Sequence, residues 1–239
     1  MASGQVFQRY EIKYMLTSRQ KQAVFDAMRA HMALDRYGQS TVRNIYFDTY
    51  NYRLIRRSLD KPVYKEKLRI RCYQKATPKS TVFVELKKKY RGIVYKRRLP
   101  LTEKEALDWL GGGFPPHDNQ ISREIDYFRD FYGALFPTMF LSYQREAYYC
   151  ADLPDFRVTF DENILCRREN ISLESDIYGT TLLEPGMTLM EIKCAGGIPL
   201  WMTQVLTRER IYKTSFSKYG TAYQRLIYPK QTQEAKSDA

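Results

Sequence analysis

The sequence predicts an α+β domain built on an antiparallel sheet or barrel. Three observations point there. Eight segments alternate apolar and polar residues with the period of two that a half-buried strand requires. Several follow one another with only turn-length separators, as antiparallel hairpins do. Helical patterns fall between and after them.

Taken in order, Val6 to Leu16 reads as the first strand. Ser18 to Ala33 reads as a helix, with Thr17 or Ser18 as N-cap and Val24, Met28 and Met32 on one stripe. Val42 to Asp48 is the second strand, and Tyr50 to Leu59 a short helix or turn before Pro62. Glu66 to Gln74, Thr81 to Lys89 and Gly92 to Leu99 form a meander, because KATPKS and YRG between them carry turn chemistry. Thr102 caps a helix to Leu110, with Glu105 completing a capping box, and GGGFPP ends it. A helix over Ser122 to Leu135 stops before Pro137. Strands resume at Thr138 to Tyr149, Phe156 to Asp161 and Thr188 to Cys194, and Leu200 to Arg210 and Phe216 to Ile227 read as helices. Neither a repeat nor a low-complexity linker divides the chain. One domain is expected over residues 1–228, with a polar, disordered tail over 229–239.

Composition narrows the function classes. The 20 Tyr and 12 Phe can fill a large core and argue against wholesale disorder. Lys+Arg is 39 against 27 Asp+Glu, a formal net charge of +12, which favours an anionic partner such as nucleic acid, anionic lipid or polyphosphate. Cys72, Cys150, Cys166 and Cys194 have no paired spacing and only His31 and His117 accompany them, so reduced, buried thiols are expected rather than a zinc site. The first residues lack a signal-peptide pattern and no stretch approaches the roughly 20 apolar residues of a membrane span, so a cytoplasmic protein without a transmembrane segment is expected.

The polar faces of the strands carry the chemistry. Alternation puts Arg69 and Arg71 on one face of LRIRCY, Glu85, Lys87 and Lys89 on one face of VFVELKKK, and Lys96 with Arg98 on one face of GIVYKRRL. The same rule groups Arg9, Glu11 and Lys13; Tyr143 and Arg145; Arg157, Thr159 and Asp161; and Glu191 and Lys193. A solvated sheet face is the plain reading of such a pattern. Its recurrence at both ends of the chain, with Arg and Lys where Thr or Ser would serve, favours an enclosed face instead. Enclosed cations cost several kcal/mol each unless paired, so an excess of them favours a bound polyanion. Arginine suits phosphate through its planar fork, and lysine through its mobile point charge. Glu11, Glu85 and Glu191 each precede a lysine by two residues. Such a carboxylate is either a structural ion pair or a holder of Mg²⁺ or Mn²⁺, which bridges phosphate oxygens. Both readings stand for Glu11 and Glu85, and the metal is preferred for Glu191.

With these residues in hand, the chain resembles the vacuolar transporter chaperone (VTC) domain family. That family is the polyphosphate-polymerase branch of the triphosphate tunnel metalloenzymes, related to the CYTH fold. The matching segments are RYEIKY, NIYFDT, LRIRCY, VFVELK, KRR, YQREAY, RVTFD, LMEIK and SFSKY, in family order from Arg9 to Tyr219. The resemblance implies a closed eight-stranded antiparallel β-barrel, a tunnel, with helices packed outside. It implies that Lys13, Arg69, Arg71, Lys87 and Arg157 grip a nucleotide triphosphate or polyphosphate. Glu191 would hold the metal, Mn²⁺ or Mg²⁺, with Glu11 and Glu85 as further candidates. Lys96, Arg98, Arg145, Lys193, Ser217 and Lys218 are expected contacts to the phosphate chain, with Arg57 supplying one more. Hydrolytic relatives open with ExExK, whereas Arg9 occupies the first position here and leaves Glu11 and Lys13 of that signature.

The expected activity is transfer of the ATP γ-phosphate to a growing inorganic polyphosphate or to pyrophosphate. Triphosphate or polyphosphate hydrolysis and a non-catalytic polyphosphate-binding module are the alternatives, with no sequence-specific nucleic acid as partner. Eukaryotic family members also carry a phosphate-sensing domain and membrane helices, so an unidentified membrane or regulatory partner belongs to the same expectation.

Overall fold

The computed structural model describes residues 10–229 and shows an α+β fold with ten strands and six helices among those residues. The strands are β1 (Tyr10–Thr17), β2 (Ala33–Asp48), β3 (Tyr64–Cys72), β4 (Thr81–Tyr90), β5 (Ile93–Thr102), β6 (Phe136–Tyr149), β7 (Arg157–Arg167), β8 (Thr180–Thr181), β9 (Met187–Cys194) and β10 (Lys213–Thr214). The helices are α1 (Ser18–Met28), α2 (Arg53–Leu59), α3 (Glu103–Leu110), α4 (Gln120–Tyr132), α5 (Leu200–Arg208) and α6 (Lys218–Leu226). All eight expected strands are present. Residues 6–9 of the expected first strand, Arg9 among them, and the expected disordered tail from residue 230 lie outside the described residues.

Two expectations are corrected. The sheet runs β10-β1-β9-β7-β6-β2-β3-β4-β5, with β8 attached to β7, and it is not closed into a barrel. The closing strand is too short: β10 pairs β1 only at Lys13↔Thr214 and Tyr14↔Lys213, while β5 pairs only β4. Alternation reports which face a residue takes and is blind to whether two edges meet. The second correction concerns residues 33–41, which continue β2 and do not extend a helix or a loop. This half of β2 pairs the end of β6 across a register shift between Leu34 and Gln39, where Gly38 adopts φ +56. A bulge of this kind breaks the period that would have announced a strand.

Capping sets the helix starts. Thr17 and Gln20 form a capping box for α1, and Thr102 and Glu105 form the expected one for α3. Asn119 and Ser122 do the same for α4, so that helix begins at Gln120, two residues before the expected Ser122. In α2 the work falls to Asp48 at the end of β2. Its carboxylate accepts from the backbone N–H groups of Thr49 at 2.9 Å, Leu54 at 2.9 Å and Ile55 at 3.0 Å, and from the Tyr219 hydroxyl of α6 at 3.0 Å. One buried carboxylate thus ties α2 and α6 to the sheet.

The apolar face of the sheet is covered in two places. Leu68, Ile70, Val82, Val84 and Leu86 pack under α3 and α4 through Ala106, Trp109, Ile125 and Phe128. Tyr14, Leu16, Val158, Phe160 and Ile192 pack under α1 and α5 through Val24, Met28, Met202 and Val205. Each fully buried aliphatic or aromatic side chain contributes about 1.5–3 kcal/mol, so these two layers dominate stability. The four cysteines are free and buried, as expected. The third cluster lies on the opposite face, where Tyr219, Ala222 and Tyr223 of α6 meet Tyr46, Leu141, Tyr143 and Leu189. Helix α6 therefore plugs part of the inner face, and the rest of that face is left to polar residues. No helix of the described residues is long and apolar enough to cross a membrane.

Candidate functional site

The sheet curls until its two ends face each other. Lys87 of β4 donates to Glu11 of β1 at 2.7 Å, although five strands stand between them in the sheet. The open seam is bridged there and by Lys67, which donates to Ser217 Oγ at 2.9 Å. The curl encloses a cavity of about 830 Å³ lined by residues of β1, β3, β4, β5, β6, β9, β10 and α6. Lys13, Arg69, Arg71, Lys87, Lys96, Arg145, Lys193, Ser217, Lys218, Glu11 and Glu191 all line it. Eleven positions from distant parts of the sequence converge because each occupies the inward phase of its strand, or the N-cap or first position of α6.

Glu85 sits beneath the cavity wall with its side chain fully buried, 2.7 Å from Arg69, 2.6 Å from Lys96, 3.4 Å from Arg98 and 3.8 Å from Arg71. Burial pushes its carboxyl pKa up, but Arg69, Arg71 and Lys96 outweigh that and hold it far below the usual range. The Arg69 fork meets Glu85 Oε2 with two hydrogen bonds, of 2.9 and 2.7 Å, and donates to the Tyr46 hydroxyl at 2.9 Å. Arg71 donates to Asn44 Oδ1 and to the Tyr143 hydroxyl, each at 2.9 Å. These contacts fix both guanidinium planes and leave Glu85 hemmed in by four cations. In this arrangement it anchors the arginines, the ion-pair alternative of the two that the sequence left open for it, and it is absent from the cavity lining.

A second cluster stands across the cavity. Lys218 Nζ lies 2.5 Å from Asp161 and 3.2 Å from Glu191, and Arg145 binds Asp161 in bidentate fashion at 2.6 Å for both contacts. Arg145 and Lys13 each lie 3.5 Å from Glu191. Burial opposes the charge on Lys218, yet Asp161 and Glu191 hold its pKa above the ordinary lysine value. Glu191 is held well below the usual range against burial by Lys218, Lys13 and Arg145. Elsewhere burial outweighs the nearby carboxylates. Burial and then Arg145 push Lys193 down to about 8, and burial pushes the more exposed Lys96 down to about 8 despite Glu85. Lys67 is driven well below its ordinary value by burial and by Lys13 and Lys87.

Other expected residues stand apart. Arg57 and Arg157 are exposed and lie outside the cavity lining, Arg157 at the first position of β7, opposite Lys193. Arg98 touches Glu85 but stacks over the Phe83 ring at 3.4 Å and also lies outside the lining. Sequence reasoning missed Asp161 as the partner of Arg145 and Lys218, and it missed Lys65 and Lys67, which share the inward phase of Arg69 and Arg71. Extending the alternation of β3 backwards by four residues would have found both lysines.

The family resemblance implies a divalent metal. Glu11 and Glu191 both face the cavity. Burial raises the Glu11 carboxyl pKa, and Glu191 does so to a smaller extent, but Lys87 and Lys193 outweigh both and hold it below the ordinary value. Thr159, paired with Glu191 in the β7–β9 ladder, buries a hydroxyl with no hydrogen-bond partner among the described residues. No group of three or more His, Cys, Asp or Glu gathers among the described residues. Two carboxylates with hydroxyl and phosphate oxygens completing the shell suit Mg²⁺ or Mn²⁺, which are bound through few protein ligands. Glu191 and Glu11 are the two carboxylates of the cavity lining that could hold such an ion.

A curled antiparallel sheet with inward cations and carboxylates and helices outside is the architecture that the resemblance implies, apart from its open seam. The VTC domain family model matches residues 8–227, and the chain belongs to that family. Among solved structures it is similar to a Bacillus halodurans protein provisionally named an adenylate cyclase, at 16% identity and a TM-score of 0.56, covering 92% of this chain and 97% of that one. A Vibrio parahaemolyticus protein with the same provisional name is more distant, at 9% identity, a TM-score of 0.48 and coverage of 91% and 99%. The Mimivirus capping enzyme triphosphatase is more distant again, at 7% identity, a TM-score of 0.39 and coverage of 84% and 88%. At 16% identity the likeness to the Bacillus halodurans protein shows the fold alone. Comparison with curated proteins finds no match.

Proposed function

We propose that this protein is a polyphosphate polymerase-type phosphotransferase that moves the γ-phosphate of ATP onto inorganic polyphosphate or pyrophosphate. The observation that carries the reading is the surplus of inward cations: Lys13, Lys67, Lys96 and Lys193 are all displaced below the ordinary lysine pKa by burial. A protein retains charges at such cost where a bound anion offsets it. Phosphoryl transfer needs no protein nucleophile and rests on positioning and charge.

In this reading Arg69 and Arg71, fixed by Glu85, Tyr46, Asn44 and Tyr143, hold the equatorial oxygens of the transferring group. Lys13 and Lys87 neutralise adjacent oxygens, and Lys218, Ser217, Arg145 and Lys193 hold the flanking phosphates. A terminal polyphosphate oxygen forms the new bond to the γ-phosphorus while the bond to the β-bridging oxygen breaks and ADP leaves with its electron pair. Glu191 and Glu11 would hold the divalent metal, which supplies charge neutralisation between phosphate oxygens.

Incubation with ATP and Mg²⁺ or Mn²⁺, with products resolved by length, tests the proposal. Chains with one ADP released per unit added are expected. Free phosphate without chains would make the protein a hydrolase, and tight salt-sensitive polyphosphate binding without turnover would make it a binding module.

A further inference from the structure

One wall of the cavity carries cations that the transfer site leaves unused. On β3, Lys65 and Lys67 continue the inward phase of Arg69 and Arg71 away from Glu85. The sheet sets them against other lysines: Lys65 pairs with Lys89, Lys67 with Lys87, and Lys87 in turn with Lys96. Like charges directly opposite each other destabilise a sheet. Lys61 also lines the cavity, near enough for its charge to act on Lys65. Among the described residues, none of Lys61, Lys65 and Lys89 has a carboxylate within 4.0 Å. Lys65 reaches only the Ser58 carbonyl, at 3.3 Å, and burial followed by Lys89 and Lys61 lowers its pKa.

The chemistry of the wall changes along its length. Around Glu85 the cations are mostly arginines, whose forks are locked by named partners and hold an oxyanion in one orientation. Beyond Lys67 they are lysines, which offer rotating point charges with little orientational demand. A fixed seat followed by a permissive track is what a linear polyanion needs if it must move by one unit after each addition. Four residues at about 3.3 Å each carry the track roughly 13 Å from Arg69 to Lys65. A triphosphate seated on Arg69 and Arg71 ends short of that point. Ser58, Leu59 and Val94 line the cavity with these lysines, the Ser58 carbonyl accepting from Lys65 and Val94 lying opposite Lys89 in the β4–β5 ladder.

We propose that Lys65 and Lys89, with Lys61 near them, form a distal subsite for the outer units of a long inorganic polyphosphate and set the preference of this protein for long chains over tripolyphosphate. The subsite rests on the reading of the cavity as a phosphate-chain site, and extends it.

The test compares binding of inorganic tripolyphosphate and of long-chain inorganic polyphosphate to the parent protein and to a Lys65→Ala/Lys89→Ala variant. The variant should lose roughly tenfold in affinity for long chains, with a shallower salt dependence, while tripolyphosphate binding changes less than about twofold. It should also unfold at a higher temperature than the parent, because a like-charge pair has been removed, so loss of fold cannot mimic the result. Equal affinity for long chains in parent and variant would overturn the subsite, and so would an equal loss for both ligands. An equal loss for a single-stranded oligonucleotide of matching charge would also overturn it, since the track would then be a general polyanion surface. Chain synthesis from ATP with no length-dependent loss would refute the subsite and leave the polymerase reading standing. The length-dependent loss without chain synthesis would do the reverse.

Discussion

Lys218, the first residue of α6, places its ammonium 2.5 Å from the Asp161 carboxylate of β7, and neither side chain is accessible beyond 8%. This pair docks the start of α6 onto the sheet and fixes where Ser217 and Lys218 meet the cavity. Arg145 shares the same carboxylate, so Asp161 neutralises two cations at once.

Removing that carboxylate has a signed outcome. Asp161→Asn leaves Lys218 and Arg145 underpaired, and breaking a buried pair in this way costs about 3–5 kcal/mol. Thermal unfolding should fall accordingly, and tripolyphosphate should restore more stability to the variant than it adds to the parent, since the ligand replaces the lost negative charge.

Glu85 and Glu191 separate by metal dependence. Glu85→Gln should lower stability and slow transfer by about 10²-fold, because Arg69 and Arg71 lose their anchor, while the Mg²⁺ concentration for half-maximal rate stays unchanged. Glu191→Gln should raise that concentration. Metal titrations of both variants decide between the two roles.

Burial of the lysines makes stability depend on pH. The Lys193 pKa is lowered from 10.5 in the free side chain to about 8 in the fold, and Lys96 likewise to about 8. Between these values the unfolded chain binds more protons than the folded one, so the stability of the ligand-free protein should rise from pH 8 towards pH 10. Polyphosphate affinity should fall over the same window, because binding then requires these lysines to be reprotonated. Denaturant midpoints and binding isotherms across that range check both signs.

Exposure sorts the remaining arginines. Arg57→Ala and Arg157→Ala should change turnover by less than about twofold, whereas Arg69→Ala should lower it by about 10²-fold. Steady-state rates for the three variants make the comparison.

Most of this site was legible in the sequence because a strand reports its faces through a period of two. LRIRCY, VFVELK and LMEIK each declared which residues turn inward, and the cavity gathers Arg69, Arg71, Lys87, Glu191 and Lys193 as that rule requires. The rule is silent on depth along the strand, which is why Arg157 shares the phase of Asp161 yet emerges outside. It is silent on partners across the sheet, so Glu85 read equally as metal ligand and ion pair until four cations were found around it. It is silent on edges, so closure was expected where β10 contributes two residues. Asp48 could not be assigned from NIYFDT, because its partners Leu54, Ile55 and Tyr219 come from two helices that only the tertiary fold brings to it.

The central claim is that the enclosed lysines are held below their ordinary pKa until a phosphate chain enters. Calorimetric titration with inorganic tripolyphosphate at pH 8, repeated in two buffers of different ionisation enthalpy, measures this directly. The account predicts tight, salt-sensitive binding with net proton uptake, diminished in a Lys193→Met variant. Binding that takes up no protons, or no binding at low salt, would contradict it.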